Sequence, residues 1–292
     1  MTNFARYGSS SSFTNSLSDE ELEAITSKEL IDLIHNLTLN EHRVLFYGPD
    51  NISNVKNLIV KYHHTKGLTP ITNVNLNIEQ EINSNQIYVV DYDMKQAEIV
   101  MFAKGSKFDK EKYSIIKLHN EYFGGGMSSI VFQDLRESKA LAYSVYSTYT
   151  IPKKIDDSHY QFSYIGTQAD KLSEAMDGML GLLTQMPEAN SNFNNAKEAV
   201  LQKIRTERIT KTKVLDYYEA AQKIKIDYDQ RKDLYDNISD FSMENLREFH
   251  NSHVNNDNYT YMVLGNIEDL DMDILKRYGN VQVLSLEDIF GY

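Results

Sequence analysis

Cysteine is absent from all 292 residues. That excludes disulfides, thiolate nucleophiles and Cys-ligated zinc, and it fits any compartment. No apolar run approaches the ~20 residues that span a bilayer. The opening MTNFARYGSSSS has no apolar core of the kind a signal peptide carries. Cations are in deficit: 30 Lys and Arg stand against 42 Asp and Glu, a formal net charge of −12. Binding phosphate backbones needs a basic surface, so the balance argues against a nucleic-acid partner. At 41% hydrophobic and 25% charged residues the composition is otherwise that of a globular protein, long enough for one large core or two smaller ones.

The densest local information runs from Tyr122 to Tyr149, YFGGGMSSIVFQDLRESKALAYSVYSTY. Gly124-Gly125-Gly126 is too permissive to lie inside a helix or strand. It is not G-x-G-x-x-G after a strand and lacks the Lys-Ser/Thr of a P-loop, so close backbone packing at a helix start is the better reading. Ser128 or Ser129 then caps a helix with Ile130, Val131, Leu135 and Phe132 inward and Asp134, Arg136 and Glu137 outward. From Tyr143 the period becomes two, which predicts a strand. Arg136 and Tyr143 therefore flank a helix-to-strand junction where a cation and a phenol can meet in one cleft.

Elsewhere the signals are local and conventional. Residues 1–16 are polar and serine-rich and read as a disordered tail. Ser18-x-x-Glu21 and Thr26-x-x-Glu29 are successive capping boxes, the second opening a helix with Leu30, Leu33, Ile34 and Leu37 on one face. Arg43 to Tyr47 predicts a strand stopped by Gly48-Pro49, and 54–64 a helix. Strand signals follow in 86–103, a helix over 110–123, a strand over 160–165, and a helix capped by Thr167 with Leu172, Met176, Met179, Leu180 and Leu183 inward. Helical patterns cover 193–226, with a break near 210–212, and 234–253. A strand over 259–264 and a helix over 271–278 close the chain.

Residues 25–48 parallel 240–265: capped helix, Asn-rich turn, strand, glycine, each followed by a further helix. The expected organisation is thus 1–64 as the closing part of a first α+β domain, 65–85 as a linker, and 86–292 as a complete second α+β domain. A lone closing third has no sheet partners of its own, so the chain reads as a piece of something longer.

GGGMSSIVFQDLRESKALAYSVYS, with its glycine run, helix, Leu-Arg-Glu and a Tyr seven residues beyond the Arg, resembles the insulinase/pitrilysin metallopeptidases. That group includes the mitochondrial processing peptidase. Ala5-Arg6-Tyr7-Gly8 followed by LSDEELEAITSKELIDLI resembles the end of the preceding domain in the same family. The resemblance implies the C-terminal half that lacks the zinc motif. Its expected fold is α+β, a two-layer domain with an antiparallel β-sheet and helices packed on one face. It implies that zinc belongs to an N-terminal partner half, in the same polypeptide or a separate subunit, and that the ligand is a peptide. It also implies that Tyr143 is catalytic, donating to an oxyanion, and that Arg136 binds substrate carbonyls. On the residues alone the blander reading is preferred, Arg136 as a cation on a solvated face and Tyr143 as a half-buried strand tyrosine, and it is the resemblance that reverses this. The strand 144–150 is also a candidate to pair with an extended peptide.

The eight histidines, 35, 42, 63, 64, 119, 159, 250 and 253, contain no His-x-x-Glu-His. His250 and His253 share a helical face without a third ligand or general-base Glu nearby, and His119 aligns with Ile116 and Phe123 as a core residue. No metal or other cofactor is expected in this chain. It is expected to be inactive alone; the other reading is a non-catalytic structural paralogue.

Overall fold

The computed structural model describes residues 1–11, 13–14, 16–63, 67–70 and 78–291. Among these, six strands form one sheet in the order β3-β4-β2-β5-β1-β6. They are β1 (Gln86–Asp91), β2 (Gln96–Lys107), β3 (Ser144–Tyr149), β4 (Ser158–Gln168), β5 (Thr260–Gly265) and β6 (Asn280–Val283). The β3-β4-β2-β5 run is antiparallel, as expected, while β1 joins β5 and β6 in parallel. β5 thus separates β1 from β2, which are neighbours in sequence.

The helices are α1 (Thr2–Tyr7), α2 (Asp19–Ala24), α3 (Ser27–Leu37), α4 (Ile52–Tyr62), α5 (Tyr113–Phe123), α6 (Leu172–Thr184), α7 (Asn190–Thr206), α8 (Val214–Lys223), α9 (Arg231–Asn237), α10 (Met243–Phe249), α11 (Met272–Leu275) and α12 (Leu286–Phe290). Alternation in β2 sends Ala97, Ile99, Met101 and Ala103 to one face, where they meet Leu118 and Tyr122 of α5, Met176 and Met179 of α6, and Leu246 of α10 in the main core. Both capping boxes form as the sequence predicts, at Ser18 and Thr26. The Thr167 cap does not: its hydroxyl donates to the Leu141 carbonyl at 2.6 Å instead.

Residues 1–11 are not a disordered tail. Met1, Phe4 and Ala5 lie at helical spacing and pack on the sheet face opposite the main core, against Phe102, Tyr160 and Met262 and beside Ile289 of α12. Arg6 completes the attachment by donating to Glu79 at 2.8 Å, and the Gln80 amide donates to the Arg6 carbonyl at 2.8 Å. Glu79 also accepts from the Ser158 amide at 3.2 Å and faces Lys107 at 3.4 Å. Burial by itself would raise the Glu79 carboxyl, but the bonds from Arg6 and Ser158 outweigh it and hold its pKa at about 2. A folded pKa below the unfolded one means stability that is present above the ordinary carboxylate range and lost as pH falls toward about 2. Glu79→Gln is expected to free α1, read as loss of amide protection in residues 2–7 with the sheet amides unchanged.

α2, α3 and α4 contain no buried residue. Leu33 and Ile34 are 60% and 61% exposed, on an amphipathic face that no described residue buries. The predicted strand at 43–47 is extended but unpaired among the described residues, because a strand needs a ladder partner. Arg43 reaches across to Glu219 of α8 at 2.9 Å. The 65–85 segment lies partly outside the described residues, as does His64.

Candidate functional site

The three glycines turn α5 back along the outer edge of β3. A Cβ on Gly124 would lie 2.2 Å from the Ser147 carbonyl oxygen, so only glycine permits this approach. The Ser147 amide donates to the Gly124 carbonyl at 3.2 Å. Next along, the Asn120 carboxamide brackets Tyr149, accepting from its amide at 2.8 Å and donating to its carbonyl at 3.0 Å. The edge of β3 is therefore already covered at Ser147 and Tyr149. Peptide pairing along the whole of 144–150 is ruled out by this cover, which satisfies the backbone groups a peptide would need.

Ser129 supplies the helix cap, its hydroxyl accepting from the Phe132 amide at 3.4 Å. The predicted helix then becomes a π-helical turn over Phe132–Ser138, closed by the Lys139 amide donating to the Asp134 carbonyl at 3.0 Å. Ile130, Val131 and Leu135 are buried as predicted, and Phe132 lies beneath the Arg136 guanidinium, 4.8 Å from ring centroid to Cζ. Ala140 follows at φ 50°, a left-handed conformation that costs a non-glycine residue energy. The turn is clamped on both sides: Lys171 Nζ donates to the Ala140 carbonyl at 3.2 Å, the Leu141 amide to Leu135 at 2.8 Å, and the Tyr143 amide to Gly166 at 2.8 Å.

Arg136 and Tyr143 line one cleft of about 370 Å³, together with Glu137 and Lys171. Tyr143 is 52% exposed, and its hydroxyl has no hydrogen-bond partner among the described residues. Besides the Phe132 ring beneath it, Arg136 has one weak ion pair among the described residues, to Glu137 at 3.8 Å, with both side chains about half exposed. The cleft thus presents an uncommitted phenol and a nearly uncommitted guanidinium on a rigid turn. Lys171, a second cation there, carries no local sequence signal, because it arrives from the start of α6.

Four of the histidines, 119, 159, 250 and 253, are engaged in packing. His119 Nε2 and His250 Nδ1 are 3.1 Å apart in the core, and His250 Nε2 donates to the Leu183 carbonyl at 2.8 Å. His253 stacks on Phe249 and His159 on Tyr149. The His250 ring has both nitrogens engaged, so it does not fit a zinc ion, and among the described residues no group of three or more His, Cys, Asp or Glu could hold a metal. Burial lowers all four, with His119 pushed well down by the His250 charge as well and His250 down to about 4. Since the unfolded histidines titrate at ~6.5, the unfolded chain takes up protons first as pH falls, and stability should drop between that value and about 4. Urea midpoints measured from pH 7.5 to 5 are expected to fall steadily; a flat profile would contradict the buried neutral rings.

A mixed six-stranded sheet with one main helical layer carries the cation–phenol cleft, and among the described residues no cluster of three potential metal ligands accompanies it. The sequence profile described as the Peptidase M16 inactive domain matches residues 24–200, and the chain belongs to that family. An uncharacterized zinc protease of Bacillus subtilis, YmxG, is 37% identical over 110 residues, covering 36% of this chain and 26% of the relative. In solved structures, a peptidase M16 inactive domain from Pseudomonas fluorescens superposes with a TM-score of 0.62 at 16% identity, covering 85% of this chain and 59% of that one. A mutant of the ferredoxin protease FusC, in complex with Arabidopsis ferredoxin, gives 0.65 at 13%, covering 91% and 29%. The match thus spans about a quarter of the Bacillus protein and under two thirds of either structure.

Proposed function

We propose that this chain is the zinc-lacking half of a zinc-dependent peptidase, closing over a peptide held by a zinc-bearing N-terminal half. In that setting Tyr143 donates its hydroxyl proton in a hydrogen bond to the oxyanion that develops as the scissile carbonyl becomes tetrahedral. Arg136 holds backbone carbonyls of the bound peptide. The observation that carries this reading is the shared cleft, in which both groups stand without strong partners on a clamped turn. Strain kept at Ala140 is costly unless the geometry it enforces is used, which favours a working site over a decorative one. The fold relative solved with ferredoxin supports a polypeptide ligand.

The same reading takes 1–64 as the closing part of a first domain, 65–85 as a linker and 86–292 as the second domain. By the internal repeat, 43–48 corresponds to β5, which has strands on both sides. The bare apolar faces of α3 and α4 support a missing neighbour.

The test begins with the chain alone, dialysed and assayed for metal and for cleavage of an unstructured peptide. Neither stoichiometric zinc nor proteolysis is expected, and addition of the zinc-bearing half should bring activity. Proteolysis by the chain alone would refute the assignment. A partner half equally active without this chain would favour a structural paralogue.

A further inference from the structure

Two histidines outside the core face each other. His42 and His63, 21 residues apart, point their Nε2 atoms at one another within hydrogen-bond reach, with ring centroids 4.7 Å apart and planes at 82°. The other side of the His42 ring is already committed: Nδ1 lies 2.6 Å from the Asn40 carbonyl, which can only accept. Nδ1 therefore carries the proton of the neutral ring, and Nε2 is left with a lone pair aimed at His63. The His63 Nε2–H is then the donor between them, and an incoming cation needs only that proton moved to Nδ1 of the same ring. This is the arrangement of a metal-ligating imidazole, one nitrogen free for the ion and the other fixed by a backbone carbonyl.

Both ligands stand on held backbone. Asn40 bridges Thr69, with the Glu41 amide donating to the Thr69 carbonyl at 2.9 Å and the Thr69 amide to the Leu39 carbonyl at 2.8 Å. His63 ends α4, its amide donating to the Ile59 carbonyl at 2.8 Å. His42 is exposed and His63 half-buried, so an ion and its waters reach the pair without opening the core. An ion at ~2.0–2.1 Å from each nitrogen in tetrahedral geometry parts them to roughly 3.3 Å, a small swing for rings at the surface. No third His, Cys, Asp or Glu joins them among the described residues, so water completes the coordination. Two ligands hold an ion more weakly than a closed structural set of four, and such an ion leaves on dialysis. The link also has something to stabilise. α2, α3 and α4 bury no residue, and joining 42 to 63 closes a loop that contains all of α4.

We infer that His42 and His63 bind one divalent transition ion of the kind imidazole prefers, zinc or copper, and that the ion staples the turn after α3 to the end of α4. The inference is independent of the Arg136–Tyr143 reading and of any zinc in a partner half. Zinc chloride is the probe, titrated calorimetrically into the dialysed full chain in a non-chelating buffer. One ion per chain is expected, with copper binding more tightly than zinc and magnesium not at all. Loss of a group that merely orients a ligand costs ~10–100-fold in affinity, so His42→Ala and His63→Ala should each weaken zinc at least about tenfold. His35→Ala, at an exposed histidine of α3, should leave binding unchanged. Hydrogen exchange under saturating zinc should slow across 52–62 in the parent and in His35→Ala but not in His63→Ala, with the sheet amides unmoved. Lack of saturation at millimolar zinc would overturn the inference. So would unchanged zinc binding in either ring variant, one ion per two chains, or binding that leaves exchange in 52–62 as it was.

Discussion

Tyr143→Phe, in this chain joined to or mixed with a zinc-bearing half, is expected to lower kcat ~10²–10³-fold while KM moves little. A phenol that donates to an oxyanion acts when that charge develops, so its loss removes transition-state stabilisation rather than ground-state binding. Arg136→Ala should raise KM as well, because a guanidinium on backbone carbonyls binds substrate and transition state alike. Folding should not confuse the result. The Tyr143 ring is half exposed with an unbonded hydroxyl, and the Arg136 tie to Glu137 is long and solvated, so both variants should melt with the parent. Steady-state kinetics on an unstructured peptide decides the matter: an unchanged kcat in Tyr143→Phe would make Tyr143 an ordinary strand-end tyrosine.

The largest expected loss of stability comes from Gly124→Ala. The added methyl would meet the Ser147 carbonyl oxygen at 2.2 Å, the Ser147 amide at 2.6 Å and its Cβ at 2.7 Å. Two of those contacts are backbone of a hydrogen-bonded strand and cannot swing aside. Overpacking of this kind costs ~1–3 kcal/mol and more when backbone must move. α5 would have to lift from β3, breaking the Ser147–Gly124 bond and loosening the Asn120 bracket on Tyr149. Gly126→Ala is the internal control. A Cβ there finds only Glu121 Oε1, at 3.7 Å, so its urea midpoint should stay within ~0.5 kcal/mol of the parent. Equal effects at the two positions would show that chain flexibility, not close approach, is what the glycine run provides.

That contrast illustrates how far the residues speak for themselves. Three adjacent glycines look alike in sequence, and the one that matters is chosen by a strand more than twenty residues further on. The Arg136–Tyr143 spacing was legible because the helix-to-strand change of period is local. The π-helical turn, the left-handed Ala140 and the arrival of Lys171 were not, since each depends on packing against α6 or β4. Thr167 carried a valid cap signal, yet its hydroxyl found the Leu141 carbonyl instead.

What the sequence by itself determined is the material readable within a turn or a strand. The capping boxes at Ser18 and Thr26, the apolar face of α6, the alternation in β2, and the absence of a His-x-x-Glu-His motif all follow from neighbours a few positions apart. The tertiary structure decided what pairs with what. It inserted β5 between β1 and β2, left 43–47 extended but without a ladder among the described residues, folded Met1, Phe4 and Ala5 onto the sheet, and buried His119 against His250. The physical reason is that a helix satisfies its own backbone within four residues, whereas a strand, a buried charge or a buried imidazole is satisfied only by a partner that the chain must bring from far away.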